Sequence, residues 1–266
     1  MARRLALVTG ASAGLGSAFA RHLARDGFDL VLTARRLNRL EELAQRLRQE
    51  SGVDVRCLAA DLARPESPAA ILDQISVTGR YVDVLINNAG YGLPGTFAET
   101  TWTDQADFIQ VMVTAPAELA HRVLPGMQAR GYGRIVNVAS VAALVPAAAG
   151  HTQYAASKAF LVRFSQSLHL EGRAHGVHVS ALCPGFTYTE FHDVNGTRAL
   201  ASASTPGWLW LDADRVVADG WRAVEANRPL CVPGAIYRAI TGLARLFPES
   251  WALALMASQG GRFRKT

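Results

Sequence analysis

The chain has 266 residues, half of them hydrophobic and 18% charged. The length fits one α/β domain of about 250 residues, and the composition excludes disorder, because a disordered chain lacks the apolar residues to build a core. The formal charge of +5 is not gathered into any block of like charges, so nucleic acid is not expected as a partner.

Cys57, Cys183 and Cys231 lie far apart, with no C-x-x-C and no Cys/His cluster at zinc spacing. Buried, reduced thiols, a cytoplasmic setting and no metal site are the expectation. The start, Met1-Ala2-Arg3-Arg4, leads into an apolar run too short for a signal peptide. The longest uncharged stretch, 135–157, carries Asn137, Ser140, Pro146, His151 and Gln153 and is too polar to span a bilayer.

Short apolar runs alternate with amphipathic segments. The pattern predicts strands over 5–9, 29–33, 53–58, 82–87, 134–139 and 177–182, with a short last strand over 230–232. Helices are expected over 14–26, 38–51, 69–75, 103–130, 152–175 and 212–227, closed in several cases by glycine (Gly27, Gly52, Gly131). The strand runs are continuously apolar, as strands covered on both faces should be. Repeated strand–helix alternation means a single doubly wound parallel sheet of about seven strands with helices on both faces, a Rossmann-like α/β fold. No linker or internal repeat interrupts 1–266, so one domain is expected. Residues 186–211 are irregular and carry Trp208 and Trp210, which marks them as a lid over a binding site. Residues 236–266 form a helical tail broken at Pro248. Its stripe of Tyr237, Ile240, Leu243, Leu246 and Phe247, continued by Trp251, Leu253, Leu255 and Met256, is expected to pack on the protein or close the cleft. Contact with an anionic membrane through Arg238, Arg245, Arg262, Arg264 and Lys265 is the less favoured alternative.

The first strand runs into Thr9-Gly10-Ala11-Ser12-Ala13-Gly14-Leu15-Gly16 and then into a helix. A glycine-rich turn lets backbone approach a ligand closely, and the helix N-terminus offers N–H groups to a pyrophosphate. The spacing is G-x-x-x-G-x-G rather than the G-x-G-x-x-G of other dinucleotide folds. After the second strand, where an acid would take a ribose 2′-OH, stand Ala34, Arg35 and Arg36. Guanidinium groups suit a 2′-phosphate, so NADP(H) is favoured over NAD. Asp61-Leu62 is a candidate adenine contact, and Asn87-Asn88-Ala89-Gly90 closes the fourth strand with small residues and amides that can approach the nucleotide.

Tyr154 and Lys158 are spaced to share one helix face, and Ser140 comes from the preceding strand end. A nearby ammonium lowers a phenol's pKa toward the range useful for proton transfer. Ser140 can hydrogen-bond a substrate oxygen. All three fall where a doubly wound sheet places its ligands, at the carboxyl ends of the strands.

The set TGASAGLG, Asp61-Leu62, NNAG, Ser140, Tyr154-x-x-x-Lys158 and Pro184-Gly185, in this order over about residues 3–233, resembles the short-chain dehydrogenase/reductase family, and Leu124-Pro125-Gly126-Met127 and the apolar tail resemble its ketoacyl-reductase-like subgroup. The resemblance implies an NADP(H)-dependent oxidoreductase that interconverts a ketone or aldehyde with an alcohol. It makes Tyr154 the general acid/base, Lys158 its activator and a holder of the nicotinamide ribose, and Ser140 the group that orients the carbonyl. It implies cofactor contacts at Gly10, Ser12, Gly14, Leu15, Gly16, Arg35, Arg36, Asp61, Leu62, Asn88, Ala89, Gly90, Tyr154, Lys158, Pro184, Gly185 and Thr189. It also implies a homodimer or homotetramer built on the two long helices.

One departure stands out. Where the family usually has an Asn that helps hold a water linking the Lys to solvent, this chain has Met112, unless Gln110 or Thr114 supplies the polar group. A thioether donates no hydrogen bond. Two other readings stay open on the sequence: a nucleotide-binding protein with weak or lost catalysis, and a reductase of an imine or enoyl bond. Candidate substrate contacts are Leu93, Pro94, Val141, Leu144, Tyr188, Phe191, Trp208 and Trp210, with His151 near the cleft. They offer no basic anchor, so a medium-sized apolar substrate is expected. His121 is given no catalytic role.

Overall fold

The computed structural model describes residues 3–93, 95–147, 150, 152–189, 206–244 and 246. Pro94, His151, Phe191, the middle of the expected lid and the tail from residue 247 lie outside the described residues.

Seven strands form one parallel sheet: β1 (Leu5–Thr9), β2 (Asp29–Ala34), β3 (Val55–Ala59), β4 (Val82–Asn87), β5 (Gly133–Val138), β6 (Val177–Leu182) and β7 (Leu230–Cys231). Their order is β3-β2-β1-β4-β5-β6-β7. The chain therefore leaves β1 in one direction and returns to β4 on its other side. That reversal opens a crevice at the carboxyl ends of β1 and β4, where doubly wound sheets take their ligands.

Helices cover both faces. Alternation along the strands splits the core in two: Ala6 and Val8 of β1 face one cluster, and Leu5 and Leu7 the other. The first cluster packs α1 (Gly14–Arg25), α2 (Leu37–Ser51) and α7 (Ala213–Glu225) on the sheet through Phe19, Leu40, Leu47 and Val216. The second packs α3 (Ser67–Ser76), α5 (Ala115–Ala129) and α6 (Thr152–Gly172) through Ile71, Leu119, Val123 and Leu168. The chain also forms α4 (Trp102–Ile109) and α8 (Ala235–Ala244).

Strand ends differ from the expected ones by a residue or two. β3 begins at Val55, opposite Leu30, because pairing with β2 sets its start rather than the first apolar residue, Val53. The continuous helix expected over 103–130 is three pieces: α4, a π-helical segment at Gln110–Thr114, and α5. Pro116 supplies a physical reason. It has no N–H to direct at the carbonyl four residues back, which is that of Met112. The Ala115 N–H bonds instead to the Gln110 carbonyl, one residue further than an α-helix allows. Similarly, α6 ends at Gly172, and Arg173–His175 is a 3₁₀ turn closed by Gly176.

Candidate active site

The glycine turn is fastened to the end of β4. Asn88 Nδ2 donates to the Thr9 and Gly10 carbonyls at 2.9 and 3.2 Å. Thr9 Oγ1 accepts from the Asn88 and Ala89 N–H groups at 3.0 and 3.1 Å and donates to the Ile86 carbonyl at 3.2 Å. The fit is close enough to exclude side chains. A Cβ on Gly10 would lie 2.8 Å from Ala89 Cα, and one on Gly16 only 2.3 Å from the Gly10 carbonyl oxygen. α1 starts without a side-chain cap at Ala13 and without an acid in its first turn. Its first N–H groups and the positive end of its dipole are therefore not answered by a side chain of the entry turn, an arrangement suited to a pyrophosphate. Gly14, at φ +56°, faces Thr189, whose Cβ is 3.2 Å from the position a side chain would occupy. The segment after Pro184-Gly185 thus lies against the turn. Leu15 packs on the core below.

At the end of β2, Arg36 reaches back to Ser12 Oγ, with Nη2 at 3.1 Å and Nε at 3.4 Å. Arg35 is exposed. Asp61 Oδ1 accepts from the Ala63 N–H at 3.1 Å. Leu62 is buried in the core beside Leu58, so only its backbone is left to meet a ligand.

Beyond β5, Ser140 takes an extended conformation and its hydroxyl accepts from the Ala142 N–H at 3.2 Å, opening a short 3₁₀ turn. Ser140 also acts on the Tyr154 phenol, drawing its pKa down. Lys158 Nζ donates to the Val138 carbonyl at 2.7 Å and stands 5.7 Å from the centre of the Tyr154 ring. Burial pushes the Lys158 pKa down to about 8, an effect that the nearby Cys183 thiol opposes. The Tyr154 phenol is pushed up by burial, against the Ser140 hydrogen bond, with Cys183 adding to the rise. The rise of the phenol is thus set by burial, and the ammonium expected to acidify it is turned to the Val138 carbonyl. The Val141 N–H donates to the Pro184 carbonyl at 3.0 Å, which ties the Ser140 loop to Pro184-Gly185.

Met112 lies in the π-helical segment and is 1% exposed. A Cβ on Gly90 would meet Met112 Sδ at 2.8 Å and Lys158 Nζ at 3.8 Å. The thioether and the ammonium thus front the same face of Gly90. Gln110 Nε2 is buried without a hydrogen-bond partner.

Several supporting contacts do not follow from the sequence patterns. Asn87 Nδ2 donates to the Pro116 carbonyl at 3.1 Å and to Asn137 Oδ1 at 2.9 Å, and Asn137 Nδ2 donates to Ser165 Oγ at 2.8 Å. This buried chain pins the start of α5 to β4, β5 and α6. The sequence signal was an Asn inside each of two apolar strands. Tyr237, counted only as part of the tail stripe, lies against Gly185, where a Cβ would be 2.0 Å from its ring. Its hydroxyl accepts from the Phe186 N–H at 3.1 Å and donates to the Leu209 carbonyl at 2.7 Å. Backbone bonds between Phe186 and Leu211 and between Tyr188 and Leu211 complete the clip. It holds an aromatic group in which Trp210 packs on Tyr188 at 4.9 Å and on Phe186 at 5.6 Å between ring centres. Trp208 is 67% exposed beside it. Leu144 does not join this group. It lines a separate cavity of about 280 Å³ with Ala143, Ala159, Val162, Arg163 and Gln166. His121 is exposed on α5.

A family model described as short chain dehydrogenase matches residues 4–198. The chain belongs to this family. Solved short-chain dehydrogenases share its architecture over nearly the whole length. One from Sphingobium yanoikuyae, in complex with NADPH, is 34% identical with a TM-score of 0.80, covering 99% of this chain and 96% of that one. A bulky-bulky ketone specific alcohol dehydrogenase from Comamonas testosteroni is 29% identical with a TM-score of 0.75, covering 99% and 95%. A family member from Burkholderia phymatum, in complex with NAD, is 28% identical with a TM-score of 0.80, covering 92% and 93%. The chain is thus an oxidoreductase of the short-chain dehydrogenase type. Its glycine turn, uncapped α1 and strand-end crevice fit a nicotinamide dinucleotide. Among the described residues no helix is long and apolar enough to cross a membrane, and no group of His, Cys, Asp and Glu could hold a metal ion.

Proposed function

We propose that this short-chain dehydrogenase interconverts a ketone or aldehyde with an alcohol, using NADP(H) and favouring a medium-sized apolar substrate. The observation that carries the reading is the buried Lys158 ammonium, bonded to the Val138 carbonyl and 5.7 Å from the Tyr154 ring centre, with Ser140 acting on the same phenol. A phenol and a serine hydroxyl converging at one point can hold a carbonyl oxygen and exchange a proton with it. Tyr154 is the proton donor in reduction and the acceptor in oxidation, and Ser140 orients the oxygen. Lys158 keeps positive charge near the phenol and is placed to hold a ribose hydroxyl.

The nicotinamide cofactor supplies the hydride. The chain's own residues position it. The turn from Gly10 to Gly16, with Ser12 and Leu15, takes the pyrophosphate. Arg36 and Arg35 take the 2′-phosphate, and Asp61 and the Leu62 backbone take the adenine. Asn88, Ala89 and Gly90 lie along the nucleotide, and Pro184, Gly185 and Thr189 along the nicotinamide. The NADPH complex of the Sphingobium relative supports this preference, while the NAD complex of the Burkholderia relative makes it a matter for measurement. The aromatic group of Tyr188, Trp210 and Phe186, and the bulky-ketone specificity of the Comamonas relative, favour an apolar substrate.

In this reading 1–266 is one domain, with 186–211 as the lid and 236–266 as a tail packed on the protein. The assembly is a homodimer or homotetramer in the cytoplasm. The decisive experiment follows NADPH oxidation together with alcohol formation across a panel of apolar ketones and aldehydes. Tight NADPH binding with no turnover on any of them would favour a nucleotide-binding role instead. Turnover confined to imines or enoyl compounds would move the reading to those bonds.

A further inference from the structure

We propose that Met112 is a positioning residue that seals the Lys158 pocket on its helix side, so that the ammonium meets water only through the ligand cleft. The placement has a backbone cause. Pro116 denies the Met112 carbonyl its α-helical donor, the chain passes through a π-helical segment, and such a segment turns side chains away from their α-helical directions. Asn87 anchors the junction by donating to the Pro116 carbonyl at 3.1 Å. Met112 is thereby held in the interior rather than on a helix surface.

Gly90 reports where the side chain goes. The one face of its Cα looks onto Met112 Sδ, Met112 Cε and Lys158 Nζ, at 2.8, 3.4 and 3.8 Å from the point a Cβ would occupy. The thioether and the ammonium both lie within 4 Å of that one point. The thioether donates no hydrogen bond and accepts one weakly, so it neither solvates Lys158 nor holds a water well against it. On the other side Lys158 has the Val138 carbonyl at 2.7 Å. The titratable groups facing Lys158 are Tyr154 on its own helix and Cys183 after β6. The π-helical segment and the loop after β4 present Met112 and Gly90, which do not titrate.

An ammonium enclosed in this way has its charged form disfavoured, in keeping with the lowered pKa of Lys158. Met112 then sets the pH above which Lys158 loses its charge, and with it the support that charge gives Tyr154. This consequence for catalysis rests on the proposed function, but the protonation of Lys158 can be measured without it.

Lys158 and Lys265 are the only lysines in the sequence. Labelling lysine with carbon-13 at Cε and titrating the full chain by NMR therefore gives two resonances, and Lys265→Arg assigns them. In the unmodified protein Lys158 is expected to titrate well below Lys265. Met112→Asn, which brings a hydrogen-bonding amide to the pocket, is expected to raise the Lys158 midpoint by about one pH unit or more. Met112→Leu, which keeps the pocket apolar, is expected to leave it in place. The alkaline limb of the rate profile should follow the midpoint in each protein. A Lys158 that titrates with Lys265 in the unmodified chain overturns the proposal, whether or not the variants fold. So does a depressed midpoint that Met112→Asn leaves unchanged. A shifted midpoint with no carbonyl reduction by any of the proteins supports the seal and counts against the proposed function alone.

Discussion

Arg36 turns back from the end of β2 to place its guanidinium 3.1 Å from Ser12 Oγ in the glycine turn. The bond bridges the two segments that would bracket the 2′ position of an adenosine ribose. Of the two arginines read from the sequence, Arg36 is the one already gathered into the site, while Arg35 is exposed. Arg36→Ala is therefore expected to weaken NADPH binding by roughly 10- to 100-fold, the range for one charge-assisted contact to phosphate. NADH binding should change little. Ala34→Asp combined with Arg35→Ser should narrow or reverse the preference by bringing in an acid for the free 2′-OH. Calorimetric titration with both cofactors checks this, and equal affinities in the unmodified protein would remove the basis for the NADP(H) assignment.

Tyr154→Phe keeps the ring and deletes the proposed proton donor. Turnover on the best ketone is expected to fall by at least about 100-fold, the lower end for a general acid. NADPH affinity should stay within a few-fold, because the glycine turn and Arg36 are untouched. Ser140→Ala should lower turnover as well, and it also removes a hydrogen bond that opposes the upward push of burial on the phenol. Stopped-flow measurement of the reduction step distinguishes both effects from slow product release. A Tyr154→Phe protein at near-normal rate would assign the proton to another group.

Lys158 also bears on stability. Its folded pKa, about 8, lies below the ordinary value of 10.5. Between those two values the unfolded chain binds more protons than the folded one, so this group's contribution raises stability as pH rises through the window. Below about pH 8 the charged, enclosed ammonium is a liability to the fold. Lys158→Met is therefore expected to unfold at a higher temperature than the unmodified protein near neutral pH. The advantage should shrink as pH rises from about 8 to 10.5. Paired thermal melts at several pH values test the sign, and an advantage that grew with pH would contradict it.

The doubly wound sheet was legible because β1, β2, β4, β5 and β6 are short, mostly apolar runs separated by amphipathic segments. The glycine turn, Ser140, Tyr154 and Lys158 were legible because each motif sits at the carboxyl end of a strand. The π-helical break was not, because Val111 and Met112 continue an unremarkable apolar pattern and the deciding feature is one missing N–H at Pro116. Nor was the Asn87–Asn137–Ser165 chain, whose members are 50 and 28 residues apart and meet only when β4 pairs with β5 and α6 packs on the sheet. Leu62 was read as a ligand contact from its place beside Asp61, yet its apolar side chain goes to the core. Sequence position located the segment but not the direction of the side chain.

Phe160 on α6 is 37% exposed and stacks on Phe164, with ring centres 5.4 Å apart and planes 12° apart. Leu170 further along the helix is exposed as well. An apolar helix face of this kind is normally covered by a second copy in an oligomer. A homodimer or homotetramer is expected by light scattering at micromolar concentration. Phe160→Glu should shift it toward a smaller species while the sheet stays folded by circular dichroism. A monomer in the unmodified protein would show that this face is not an interface between copies.

Tyr237 offers a way to separate positioning of the proposed substrate wall from the chemistry. Its hydroxyl bridges the Phe186 N–H and the Leu209 carbonyl, and its ring lies on Gly185. Tyr237→Phe keeps the ring contact and removes both hydrogen bonds, leaving two backbone groups at the clip to find other partners, at roughly 1–3 kcal/mol for a buried group so exposed. The aromatic group of Phe186, Tyr188 and Trp210 should then be held less firmly, whereas Ser140, Tyr154 and Lys158 keep their own supports. The expected result is a several-fold rise in KM for bulky ketones, little change in KM for small ones, and a nearly unchanged kcat for both. Gly185→Ala is the harsher test, since its Cβ would need the Tyr237 ring to move. It should raise KM for bulky ketones further and lower the melting temperature. An equal loss of kcat for small and bulky substrates in Tyr237→Phe would mean that the clip supports the catalytic groups themselves and that the aromatic group is no substrate wall.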